Sequence, residues 1–170
     1  MQPKRIAITG PESVGKTTLA QALAAGFGTI WVPEYAREYL EHLGRPYVFE
    51  DLEVIARGQR EMEERYARLA DRYLFCDTDL LVIKIWSEYK YQQTAPFVLE
   101  SLYKHPYDLF VLCGTDVPWE YDPLRENPGE REELYQLYLE ELRIQSMPFI
   151  EVSGAVEERV KRVSEFLLSL

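Results

Sequence analysis

The stretch Gly10-Pro11-Glu12-Ser13-Val14-Gly15-Lys16-Thr17 decides the fold. It follows the apolar run at 6–9 and precedes residues 16–25, which are rich in Ala and Leu and stop near Gly26 and Gly28, so a strand, a loop and a helix are expected in that order. The spacing GxxxxGK[ST] in such a setting reads as a phosphate-binding loop. Gly10 and Gly15 allow the backbone to turn successive N–H groups inward, and the helix start adds the positive end of its dipole. Lys16 then reaches phosphate oxygens, and the Thr17 hydroxyl is placed to bind Mg²⁺. The expected nucleotide contacts are Gly10, Glu12, Ser13, Val14, Gly15, Lys16, Thr17 and Thr18. The competing reading, an ordinary glycine-containing surface turn, has no use for Lys-Thr at this position.

Outward from the loop, four more short apolar runs lie at 29–32, 73–76, 109–113 and 149–152, each bounded by turn formers. Several are continuously apolar, which suits strands covered on both faces. Helical spacing fills the intervals: a long amphipathic helix over 49–70 with Leu52, Ile55, Met62, Tyr66 and Leu69 on one stripe, then helices over 78–89, 96–103, 130–144 and 155–170. The expectation is a single α/β domain over 1–170, a P-loop NTPase with a doubly wound, five-stranded parallel sheet and helices on both faces. Ligands of such sheets bind beyond the carboxyl ends of the strands. The segment 114–131 carries Pro118, Pro123, Pro128 and Gly129 and reads as a long irregular loop, which in a compact domain is a lid or a linker. Trp119 and Tyr121 argue for the lid.

The chain has 170 residues, 46% of them hydrophobic, so one core needs neither a disulfide nor a metal staple. Nineteen Lys and Arg against 29 Asp and Glu leave a net charge of −10. Non-specific binding to nucleic acid or an acidic membrane surface is therefore not expected, and a polyanionic ligand must be met by local cations and N–H groups. Cys76 and Cys113 are 37 positions apart with no CxxC, which suggests neither zinc nor a disulfide framework. No run reaches the roughly 18 apolar residues of a membrane span, and no signal peptide is recognised. A reduced, cytoplasmic setting is expected.

The remaining candidates stand at strand ends. Asp77 follows the run at 73–76 where a neighbouring strand would bring it beside Thr17, so it could order the metal; Asp77 or Thr78 could equally cap the next helix. Glu34, after the second strand, could accept a hydroxyl proton from an acceptor, with Arg37 gripping it or a phosphate. The plainer alternative is a helix start, with Glu34 a first-turn acid and Arg37 paired to Glu41. Arg125 and Arg131 suit a closing lid that neutralises a transferring phosphoryl group, or are solvated charges beside a Glu-rich helix. Tyr35, Trp86, Trp119 and Tyr121 could stack on a flat ring or simply pack. His42 and His105 belong to no motif and are expected at the surface. No NKxD stretch occurs, which disfavours a GTPase.

With these residues assembled, the chain resembles the ribosylnicotinamide kinase domain of the bifunctional NAD-biosynthesis proteins that join an adenylyltransferase to such a kinase. The resemblance rests on GPESVGKTTLA, VPEYAREYLE, DLEVIARGQ, FCDTD and DVPWEYDPLRENPGERE, in the expected order across roughly residues 4–143. It implies a P-loop kinase fold with strand order 2-3-1-4-5 and transfer of the ATP γ-phosphoryl group to the 5′-hydroxyl of nicotinamide riboside, with ATP and Mg²⁺ as cofactors. Carried over by position, Lys16 and Thr17 would hold phosphate and metal, and Asp77 the metal. Glu34 or Asp79 would handle the acceptor hydroxyls, with Tyr35, Arg37 and Trp119 nearby, and Arg125 and Arg131 would be the lid arginines. The chain begins three residues before its first expected strand, leaving no room for the adenylyltransferase, so a stand-alone kinase module, or a piece of something larger, is expected. A kinase for another nucleoside and a regulatory ATPase switch are the alternative functions.

Overall fold

In the computed structural model, which describes residues 2–104 and 106–170, the apolar runs become β1 (Lys4–Thr9), β2 (Trp31–Val32), β3 (Tyr73–Asp77), β4 (Leu109–Cys113) and β5 (Phe149–Val152). They form one sheet in the order β2-β3-β1-β4-β5 with every pair parallel, the order expected of a P-loop kinase fold. Parallel neighbours need crossover connections, and the helices supply them: α1 (Lys16–Phe27), α2 (Tyr35–His42), α3 (Phe49–Ala67), α4 (Leu80–Tyr91), α5 (Pro96–Tyr103), α6 (Arg131–Ile144) and α7 (Val156–Leu168).

The two-residue side-chain period of the strands divides the core. Ile6, Ile8, Phe75 and Val111 point to one face, where they meet Leu19 and Leu23 of α1 and Val163 and Leu167 of α7. Ala7, Leu74, Phe110 and Leu112 point to the other and meet Leu52, Leu81, Leu102 and Leu142 from α3 to α6. Both faces are thus covered, which explains runs without polar alternation. Among the described residues no helix is long and apolar enough to cross a membrane.

Element ends depart from the sequence reading for identifiable reasons. The second strand is two residues long rather than four, because the Thr29 N–H closes the end of α1 on Ala24 O at 2.9 Å and its hydroxyl bonds Tyr73 O at 2.8 Å. Helix α3 stops at Ala67, and Leu69, expected on its buried stripe, is 75% exposed in the turn that follows. Helix α4 starts at Leu80 rather than Thr78, since Thr78 takes a left-handed φ of 71° that ends β3 abruptly. The stretch 35–42, given only as a possible helix start, is a full helix. His105 lies outside the described residues; His42 is exposed.

The sheet positions the loop between β1 and α1. The chain goes to one side of β1 for β2 and β3 and to the other for β4 and β5, so the loop rises from the middle of the sheet at its switch point. Gly10 has φ +134°, and a Cβ there would stand 3.1 Å from Cys113 O at the end of β4. Gly10→Ala should therefore destabilise the protein by about 1–3 kcal/mol. Urea unfolding measures this, and an unchanged midpoint would contradict the close packing of loop on β4.

Candidate active site

Between β1 and α1 the backbone takes positive φ at Gly10, Ser13 and Gly15 (134°, 56° and 82°), the turn that the spacing predicts. The Lys16 ammonium folds across it, donating to Gly10 O at 2.8 Å and Pro11 O at 2.5 Å. Behind the loop, Arg159 of α7 is 2% exposed and donates to Val14 O (2.7 Å), Gly154 O (3.0 Å) and Asp116 Oδ1 (2.8 Å). The sequence reading missed Arg159, because a lone arginine on an amphipathic terminal helix looks like a surface charge.

Parallel pairing sets Ile8 beside Asp77, which brings the end of β3 next to the loop. There the Thr17 hydroxyl donates to Asp77 Oδ2 at 2.6 Å, while Asp77 Oδ1 is buried without a partner. Burial pushes the Asp77 carboxyl above its ordinary range; the Thr17 bond and the positive field of Lys16 and Arg37 oppose it. A buried carboxylate oxygen with no hydrogen bond costs free energy unless something occupies it. Hard oxygen donors from one hydroxyl and one carboxylate fit a small divalent cation that draws its remaining ligands from water and phosphate. Among the described residues no group of three or more His, Cys, Asp or Glu could hold a metal on its own.

Glu34 precedes α2 and lines the same cavity, of about 480 Å³, as Lys16, Thr17, Asp77, Arg37 and Arg125. Burial raises its carboxyl, Asp77 raises it further, and Lys16, Arg37 and Arg125 pull it back. Leu40, Val82, Ile85 and Leu134 give the cavity apolar wall, and Trp86, Tyr89 and Tyr138 give it aromatic wall. Trp86 is the one of the four named aromatics that lines the cavity. Tyr89 and Tyr138 were missed, since nothing in the sequence separates them from helix packing.

The segment between β4 and α6 is irregular, as expected, and is tied down on the loop. Glu12 accepts from Glu126 N–H (3.1 Å) and Asn127 N–H (3.0 Å), and the Ser13 hydroxyl accepts from Glu120 N–H (2.9 Å) and Arg125 (3.3 Å). Arg125 also donates to Glu120 O. Arg37 pairs with Asp122 at 2.9 Å, and Arg37 and Glu41 stand 4.0 Å apart, so Arg37 both lines the cavity and holds the segment. Tyr47 receives Lys90 at 2.6 Å and Trp86 Nε1 at 3.0 Å and gives its own proton to Glu126 at 2.5 Å.

Four expected site residues do not line the cavity. Asp79 is fully buried and caps α4, accepting from Leu81 N–H at 2.7 Å and Val82 N–H at 3.3 Å, so the cap is neither Asp77 nor Thr78; burial pushes it up to about 7. The Tyr35 ring lies over Gly58 of α3, where a Cβ would stand 2.0 Å from Cε1. Arg131 spends its guanidinium on Ser13 O (2.8 Å) and Val117 O (2.7 Å), outside the cavity. Trp119 stacks near Arg125 and Arg131, 5.9 and 5.7 Å from their guanidinium carbons; Tyr121 is 84% exposed.

A family model described as an AAA domain matches residues 5–159. The chain belongs to this family. It is 30% identical over 155 residues to the trifunctional NAD biosynthesis/regulator protein NadR of Escherichia coli (strain K12), a match covering 88% of this chain and 38% of that protein. The chain thus spans well under half the length of that relative. Among solved structures it is similar to NadR protein in complex with NR (TM-score 0.83, 20% identity, 96% of this chain and 51% of that one). It is also similar to deoxyadenosine kinase from M. mycoides (TM-score 0.68, 18% identity, 98% of this chain and 100% of that one). At these identities the structural likeness shows the fold.

Removing the Glu12 carboxylate leaves two N–H groups of the 114–130 segment without their acceptor. Glu12→Ala should therefore speed amide hydrogen exchange at 126 and 127 by about tenfold, the loss of a hydrogen bond to a charged group. Exchange at wild-type rates would mean that this strap does not hold the segment.

Proposed function

We propose that the chain is an ATP- and Mg²⁺-dependent kinase that phosphorylates the 5′-hydroxyl of nicotinamide riboside to give nicotinamide mononucleotide. The observation that carries the reading is the convergence of Lys16, Thr17–Asp77 and Glu34 on one cavity that Trp86, Tyr89 and Tyr138 also line. The likeness to NadR in sequence, and to NadR in complex with NR in fold, supports the acceptor.

In this reading the β1–α1 loop holds the triphosphate through its N–H groups, and Lys16 exchanges the carbonyls of Gly10 and Pro11 for phosphate oxygens. Thr17 and Asp77 would hold Mg²⁺, which when bound neutralises charge on the phosphates. Glu34 orients the acceptor hydroxyl and takes its proton as the new P–O bond forms, and ADP leaves. Arg125, carried on the 114–130 lid, faces the transferring group, and closure over Glu12 and Ser13 keeps water away from it. Positioning and charge supply nearly all of the catalysis, as phosphoryl transfer generally allows. Nicotinamide riboside is cationic at its ring, and Trp86, Tyr89 and Tyr138 offer it aromatic faces in a cavity that also holds Glu34 and Glu126.

The test is ADP release with ATP, Mg²⁺ and a nucleoside panel. Nicotinamide riboside should give the highest kcat/KM; preference for another nucleoside would move the assignment to that acceptor, and equal turnover without any acceptor would indicate an ATPase switch. Glu34→Gln should lower kcat by about 10²–10⁴-fold with ATP affinity kept. Glu34 must be deprotonated to take the proton and burial raises its carboxyl, so activity should fall on acidification at a pH above the ordinary carboxylate range.

A further inference from the structure

Glu34 occupies the position before the first residue of α2, where a side chain ordinarily turns back to accept the N–H of the second or third helical residue. It makes no such bond. The Tyr35 N–H is taken up from another helix: Gln59 Oε1 of α3 accepts it at 3.0 Å. The other end of the same amide, Gln59 Nε2, donates to Thr78 O at 3.4 Å and to Glu63 Oε1 at 3.3 Å. Gln59 can reach both because α3 passes unusually close, with Gly58 directly under the Tyr35 ring.

The support under Gln59 is stiff. It is 1% exposed, and Glu63 is wholly buried, held by the Tyr107 hydroxyl at 2.8 Å and by Arg60 at 2.5 Å. Tyr107 also accepts the Leu80 N–H at 3.2 Å, so the network reaches the start of α4. Thr78, whose carbonyl the amide holds, follows Asp77 directly and has φ 71°, a conformation that a β-branched residue keeps only when its surroundings impose it.

We propose that Gln59 is a positioning residue for phosphoryl transfer, its one amide bonding the backbone beside Glu34 and the backbone beside Asp77 and so fixing the separation of the two carboxylates. An amide presents one acceptor and two donors, and here the acceptor points to α2 while the donors point to β3 and Glu63. The inference rests on the base role given above to Glu34.

The experiment is a double-mutant cycle in the full chain with ATP, Mg²⁺ and nicotinamide riboside. Gln59→Met keeps the length and removes the amide. It should lower kcat roughly 10- to 100-fold, the scale of an ångström-sized misplacement, with ATP affinity unchanged. Added to Glu34→Gln it should lower kcat no further, since both changes disable one function. A merely structural role predicts a kcat per folded molecule that Gln59→Met leaves intact, and a catalytic effect independent of Glu34 predicts losses that multiply. Gln59→Asn, which keeps the amide but falls one methylene short, is the second variant should the first not fold, and the same loss and the same non-additivity are expected of it. Wild-type kcat in the Gln59 variants, or multiplication with Glu34→Gln, overturns the positioning role while the base role stands. Wild-type kcat in Glu34→Gln alone overturns the base role, and the inference falls with it.

Discussion

The parallel pairing of β1 with β3, in the register that sets Ile8 beside Asp77, is the constraint on which the rest depends. Side chains alternate along a strand, so a slip of one residue would turn Asp77 into the opposite helix layer and bury Cys76 where the carboxylate belongs. The register is fixed by apolar faces on both sides of the sheet: Phe75 must meet α1 and α7, and Leu74 and Cys76 must meet the α3–α6 layer. Core packing thereby delivers one buried carboxylate to the Thr17 hydroxyl at 2.6 Å. The pair is costly by itself, with Asp77 raised by burial and one of its oxygens orphaned, and that cost is the sign of a site shaped for something else.

A chain with net charge −10 offers a polyanion little long-range attraction. Its local cations are instead held in place by backbone oxygens: Lys16 on Gly10 and Pro11, Arg131 on Ser13 and Val117, Arg159 on Val14 and Gly154. Carbonyl partners leave the charges of Lys16 and Arg131 unneutralised, whereas Arg159 also pairs with Asp116 at 2.8 Å. Among these three, Lys16 lines the cavity and can change partners without leaving a buried carboxylate behind. Arg131 and Arg159 brace the loop from outside.

The sequence made the five strands, the loop and the acid at the end of β3 legible because each rests on local pattern: apolar runs, turn formers and a fixed glycine-lysine spacing; the sheet order came with the resemblance to a P-loop kinase. Glu34, Arg37 and Arg125 line the cavity. Asp79 and Tyr35 do not, since whether a residue two beyond a strand end faces a cleft or caps a helix depends on the φ of Thr78, and whether a ring faces a cleft depends on how near Gly58 comes. Gln59, Arg159, Tyr89 and Tyr138 act through contacts between elements distant in the chain, and a one-dimensional pattern carries no record of those. Arg131 shows the same limit, for its charge was visible and its carbonyl partners were not.

The central claim is that the loop between β1 and α1 grips a triphosphate through Lys16. Titration calorimetry of ATP with Mg²⁺ into the wild type and Lys16→Ala tests it most directly. Losing one charge-assisted contact should weaken binding about 10- to 100-fold, with the unfolding transition unmoved because Lys16 bonds only carbonyls of its own loop. Equal affinity in the two proteins would contradict the account.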